Sequence, residues 1–168
     1  MRKFCVILVI LSLIFFNACS VQEKVTPMIL VQRLCENTED LIFDYESSYY
    51  DGSLFIIFAE YKNDKITLKM QSTKDNVISK ISLYTGKNNQ INELIDILVS
   101  VYSPNEDSEK IIKELTINDD LMQYNFGKEY TYSLFTCENG VYFEIFNNNL
   151  INFIIPELTL KPNDKSEF

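Results

Sequence analysis

Much of enzyme chemistry begins with an imidazole, and this chain of 168 residues has no His. Ser-His-Asp and Cys-His nucleophile pairs and the H-E-x-x-H zinc site are therefore all excluded. No S-x-x-K run offers a serine–lysine alternative. The four Gly stand apart, so neither a G-x-G-x-x-G loop nor a Walker loop can form. Of the four Cys, Cys5 and Cys19 lie in or beside an N-terminal apolar run, which leaves Cys35 and Cys137. Two distant thiols are a poor zinc site. Asn118, Asp119 and Asp120 could offer oxygens to calcium, but three adjacent residues of this kind fit a turn and helix cap better. No metal and no cofactor are expected.

Carboxylates are the remaining chemistry. Asp44 and Glu46 are two apart and share a face if they lie on a strand. An acid/base pair of glycosidase type needs about 5–9.5 Å between its carboxyls, which strand neighbours can meet. The same spacing describes a solvated sheet face, the simpler reading. Glu36, Glu39 and Asp40 read as a helix end and loop. Glu106, Asp107 and Glu109 suit the first turn of a helix, where acids favour the macrodipole. Tyr49 and Tyr50 precede Asp51-Gly52, so they stand at a hairpin tip. Exposed Tyr can bind sugar or peptide, although cross-strand packing explains strand aromatics more simply. With 15 basic against 24 acidic residues the net charge is -9. No basic face is available for nucleic acid.

The elements that would position these groups can be placed from periodicity. Thr26-Pro27 is a helix start, with Thr as N-cap and Pro in the first turn, and residues 27–37 carry a loose helical stripe. Four strands follow within residues 41–85, separated by Asp51-Gly52, Asn63-Asp64 and the polar stretch 72–76. Ile66, Leu68 and Met70 alternate cleanly with Thr67, Lys69 and Gln71. The period then changes to 3.6. Ile91, Leu94, Ile95, Leu98 and Tyr102 form a stripe over a helix at 89–102. Ser103-Pro104 is expected to cap a second helix carrying Ile111, Ile112 and Leu115. Strand signals return from Met122, and Asn139-Gly140 marks a hairpin whose register would set Leu134 opposite Ile145. Residues 150–155 could add another strand. The expected fold is α+β: an antiparallel sheet of about six strands with helices packed on it. It forms one domain over residues 27–156, followed by a polar tail at 157–168.

The N-terminus carries the clearest message. Arg2 and Lys3 precede an uncharged apolar run at residues 4–16, and then come Asn17, Ala18, Cys19 and Ser20. This is the layout of an export signal. It resembles a bacterial lipoprotein signal, in which a small residue precedes the Cys that is acylated. Phe16 and Asn17 depart from the usual lipobox. The resemblance implies cleavage after residue 18, a lipid on Cys19 and a short tether at 19–26. A plain secreted protein and an uncleaved anchor are the alternatives, but an apolar run of thirteen residues is short for a span. Each places the domain outside the cytoplasm. Two acyl chains on Cys19 would hold it stably to the cell membrane or outer membrane. Cleavage removes Arg2 and Lys3 and no acid, so the domain becomes more acidic and is repelled by anionic lipid.

The expected role is that of a membrane-anchored, non-catalytic binding or interaction module with a protein or envelope partner. A carboxylate-dependent hydrolase of the cell envelope and a structural envelope component are the alternatives. Outside the cell Cys35 and Cys137 could form a disulfide. One surface stands out. With a two-residue Asp51-Gly52 loop, Leu54, Ile56 and Phe58 meet Tyr49, Ser47 and Tyr45, which looks like core. Phe55, Ile57 and Ala59 would meet Ser48, Glu46 and Asp44, so Phe55 and Ile57 become the expected interaction surface unless a helix covers them.

Overall fold

The structure is a computed structural model and describes residues 24–86, 90–115 and 123–151. Helix α1 (Pro27–Asn37) starts where the capping pair predicts: Thr26 Oγ1 accepts from the Ile29 amide at 3.3 Å. Strands β1 (Leu41–Asp51), β2 (Leu54–Tyr61), β3 (Asp64–Ser72) and β4 (Ile78–Thr85) follow as a meander. Helix α2 (Ile91–Tyr102) buries its whole expected stripe. Helix α3 (Ser108–Glu114) is capped by Asp107, which accepts from the Lys110 amide, and not by Ser103. A Ser103 cap is ruled out because its hydroxyl turns back to the Val99 carbonyl at the end of α2. Strands β5 (Gln123–Phe126), β6 (Tyr130–Cys137) and β7 (Gly140–Asn147) complete the order.

All strand pairs are antiparallel, in one sheet of seven strands ordered β1-β2-β3-β4-β7-β6-β5. The fold is therefore α+β as expected, with seven strands among the described residues where about six were expected; most of the further strand expected at 150–155 lies outside the described residues. The three helices among the described residues share one core with one face of the sheet. Cross-strand partners point to the same side, so the register identifies that face. Phe55, Ile57 and Ala59 pair with Met70, Leu68 and Ile66, and these pair with Ile81, Leu83 and Thr85. Val141, Phe143 and Ile145 continue the layer into Thr136, Leu134 and Tyr132. Leu30, Val31 and Leu34 of α1 and the stripe of α2 close it.

Polar ties lock the helices to this layer. Tyr102 Oη donates to the Ile78 carbonyl at 2.9 Å. Tyr132 Oη meets Ser103 Oγ at 3.0 Å, inside the core. Burial pushes both phenols well above their ordinary proton affinity. At the rim, Lys62 pairs with Glu93 of α2 at 2.5 Å.

Three registers differ from the sequence expectation. The first hairpin turns on Gly52-Ser53, with Asp51 opposite Leu54, because Gly52 takes the positive φ of +57° that the turn demands. A bulge in β1 between Asp44 and Tyr49 then shifts the pairing again. The last hairpin turns on Glu138-Asn139, with Cys137 opposite Gly140, so Leu134 meets Phe143 and not Ile145. Hence the expected faces of β2 are exchanged. Ile57 is only 6% exposed and Phe55 packs against the core beneath the helices. Phe55 and Ile57 therefore do not form an open patch. Leu54, Ile56 and Phe58 lie on the opposite side.

Candidate functional site

Among the described residues, no helix lies on the other face of the sheet. Its side chains follow from the same registers. One row runs Asp44, Phe58, Thr67, Tyr84, Tyr142, Phe135 across six strands. The next runs Tyr49, Ile56, Lys69, Ser82, Glu144, Ser133, Tyr124. The third carries Leu54, Gln71, Lys80, Phe146, Thr131 and Phe126. The face thus mixes aromatics with a few polar groups, the composition of many docking surfaces.

The Tyr84 and Tyr142 rings meet at 4.6 Å between centroids, and Phe135 continues the row at 6.4 Å from Tyr142. Tyr84 Oη donates to the Asn139 carbonyl at 2.7 Å, which pins its ring against the β6–β7 hairpin. Ile56, Phe58, Thr67, Lys69 and Ser82 join the two Tyr around a shallow depression of about 300 Å³. Towards β7 the face turns polar. Lys80 Nζ lies 2.7 Å from Glu144 Oε1 and 4.8 Å from the centre of the Phe146 ring. Ser82 donates to the same carboxylate oxygen at 2.8 Å. This group ties β4 to β7 and leaves no unpaired carboxylate there for acid/base work.

The expected site residues are scattered. Cys19 lies outside the described residues, as do Asn118, Asp119 and Asp120. Cys35 and Cys137 are both free thiols and do not pair. Cys35 sits beside β1, with Sγ 4.0 Å from Tyr45 Oη, whereas Cys137 is on β6 and donates to the Gly140 carbonyl at 3.3 Å. Strands β1 and β6 are five positions apart in the sheet, about 24 Å at the usual spacing. A disulfide tolerates about 7 Å between Cα atoms. Asp44 borders the bulge in β1 and Glu46 lies within it, both exposed to water. Hydrogen bonds from Ser47, side chain first and then backbone, hold the Asp44 carboxyl below the usual carboxylate range. A general acid needs the reverse. Tyr49 and Tyr50 are exposed at the hairpin end; the Tyr50 ring packs tilted against Phe55, 4.2 Å between centroids, and its hydroxyl donates to the Gly52 carbonyl.

Among the described residues no group of three or more potential metal ligands occurs. Nor is any helix among them long and apolar enough to cross a membrane. The residues that sequence reasoning missed are Phe58, Tyr84, Tyr142 and Phe135. Their signal was the clean alternation of β3, which assigns Ile66, Leu68 and Met70 to the core and so turns Phe58 and Tyr84 outward. Comparison with protein-family models, with curated proteins and with solved structures finds no match to this chain.

Proposed function

We propose that the protein is a membrane-anchored extracytoplasmic lipoprotein whose domain is a non-catalytic binding module. The helix-free sheet face is the surface it offers to a protein partner in the envelope. The observation that carries this reading is the aromatic row. Phe58 is 40% exposed, Tyr142 nearly as much, and Ile42 on the neighbouring strand stands 66% exposed. Leaving such side chains in water has no benefit for stability, and apolar patches with polar rims mark interaction sites. The leader supports the anchor, since Ala18-Cys19 closes a charged and then apolar run. The acidic domain is repelled by anionic lipid and would stand clear of the bilayer with this face accessible.

The test has two parts. In phase-partitioning detergent the wild type should follow the detergent and Cys19→Ala the water. Equal partition, with residues 1–18 retained, would show an ordinary anchor. In native membranes, cross-linking should capture a defined protein with the wild type and lose it with Phe58→Asp/Tyr142→Asp. Retention of that partner by a folded double variant rejects this face as the docking surface.

A further inference from the structure

Exposed apolar side chains gather at one end of the sheet. The turn after β1, the loop between β3 and β4, the turn between β5 and β6 and the exit of β7 all lie at that end. The row that runs from Asp51 through Lys80 and Phe146 to Phe126 borders them across all seven strands. Tyr49 is 53%, Tyr50 57%, Phe126 57% and Leu150 39% exposed. Both phenols lean towards the turn, where Tyr49 donates to the Asp51 carboxylate and Tyr50 to the Gly52 carbonyl. Met28 joins them from the first turn of α1, 64% exposed. These five are the majority of the large apolar side chains left in water among the described residues.

The chain enters the domain at the same end. The Ile78 amide donates to the Val25 carbonyl at 3.0 Å, which fixes the entry against the start of β4, and the Val25 side chain packs on the core. Lys24 and Val25 line a hollow of about 320 Å³ with Thr73, Asn147 and Leu150. Charge is nearly balanced here. Lys24, Lys74 and Lys128 face Asp51, Asp75 and Glu129 in number, and Glu106 adds one acid from the helix layer. The chain as a whole has 24 acidic residues against 15 basic ones. The negative excess therefore lies elsewhere, and anionic lipid repels this end least. Amphipathic rings with Lys around them are the side chains that settle at headgroup level.

We propose that this end is the foot on which the domain stands, and that Tyr49, Tyr50, Phe126 and Leu150 settle among the headgroups of the membrane that holds the anchor. The inference rests on the lipid at Cys19 proposed above. Only residues 20–24 separate Cys19 from Val25, so the link spans at most about 21 Å. From Ile78 to Thr85, β4 alone is about 24 Å long. The link is thus too short for an inverted domain, with Lys62, Asn63 and Asn139 against the lipid. Phe58 and Tyr84 lie about 13–20 Å up their strands from this end. A partner therefore meets the aromatic row clear of the bilayer, while only the foot touches it.

Hydroxyl-radical footprinting of the lipidated protein, in vesicles of phosphatidylethanolamine and phosphatidylglycerol, tests this with like side chains compared in one sample. Exposure alone makes Tyr50 react faster than Tyr142, and Phe126 faster than Phe58. On vesicles both orders should reverse, with Tyr50 and Phe126 slowed several-fold. Cys19→Ala, free in water, should keep the order that exposure sets. An unreversed order in the lipidated protein overturns the proposal and leaves the anchor standing. A mature chain with no lipid on Cys19 overturns the anchor reading, and this inference with it. Reversal in Cys19→Ala, or reversal that vanishes as the protein on each vesicle is diluted, assigns the cover to protein and rejects the bilayer.

Discussion

Gly140 is the position where a single methyl group should do most damage. A Cβ built there would lie 2.3 Å from the Thr85 carbonyl oxygen, 2.8 Å from Tyr84 Cε2 and 3.1 Å from Gly86 Cα. Two of these neighbours are backbone, so they cannot rotate away. The residue also has φ of +155°, outside the range that L side chains adopt readily. Backbone strain of this kind costs about 1–3 kcal/mol. Forcing the end of β4 away from the β6–β7 hairpin adds roughly 1–3 kcal/mol more, the range for overpacking. Gly140→Ala should therefore lose about 2–6 kcal/mol, a large share of the roughly 5–15 kcal/mol that holds such a domain together. Gly52→Ala is the control. It has φ of +57° but nothing within 4 Å of a new Cβ, so it should lose only about 1–2 kcal/mol. Urea unfolding followed by far-ultraviolet circular dichroism measures both. A much lower midpoint for Gly140→Ala than for Gly52→Ala is expected. Equal midpoints would refute the close approach of the hairpin to β4.

Further outcomes follow from the burial pattern. Ile57→Ala should cost about 2–5 kcal/mol as a core truncation, and Phe55→Ser/Ile57→Ser should abolish cooperative thermal unfolding; a folded double variant would mean that the helices do not cover this face. Phe58→Asp should leave the unfolding free energy within about 1 kcal/mol of wild type, and a loss comparable to Ile57→Ala would place Phe58 in a core. Thiol titration of the unfolded, unreduced protein should find Cys35 and Cys137 both reactive, and masked thiols that appear only after reduction would contradict the separation across the sheet. The buried phenols of Tyr102 and Tyr132 hold their protons more tightly folded than unfolded. The native state then binds more protons above the ordinary phenol value of about 10, and stability falls as pH rises beyond it. Tyr132→Phe should flatten that alkaline decline, and an unchanged slope in urea midpoints between pH 9 and 11 would remove this tyrosine as its source.

The elements were legible wherever a local rule suffices. The Thr26 cap acts within three residues, and the stripe from Ile91 to Tyr102 repeats its signal over three turns. The facing of β2 was not legible from β1, because Leu54, Phe55, Ile56, Ile57 and Phe58 are apolar on both sides. The bulge after Asp44 also breaks the parity that carries facing from one strand to the next. The third strand held the answer: Ile66, Leu68 and Met70 alternate, and the tight turn at Lys62 and Asn63, both at positive φ, transmits that choice to β2. The aromatic row was hidden for the same reason, since Phe58 and Tyr84 line up only after the register is known. Cys35 and Cys137 were brought together by counting thiols, which takes no account of the sheet's width.

The strand order also constrains how the chain assembles. Every contact in the β1–β4 meander is local, joined by short turns. The bond between β4 and β7 spans 62 residues at Ser82 and Glu144. Closing that loop costs roughly 2–3 kcal/mol more chain entropy than closing a tight hairpin. The meander and the β6–β7 hairpin should form early as separate units, with docking of β7 on β4 as the slow step that sets the folding rate. Until that step the edge of β4 stays unpaired, waiting for the last third of the protein to arrive.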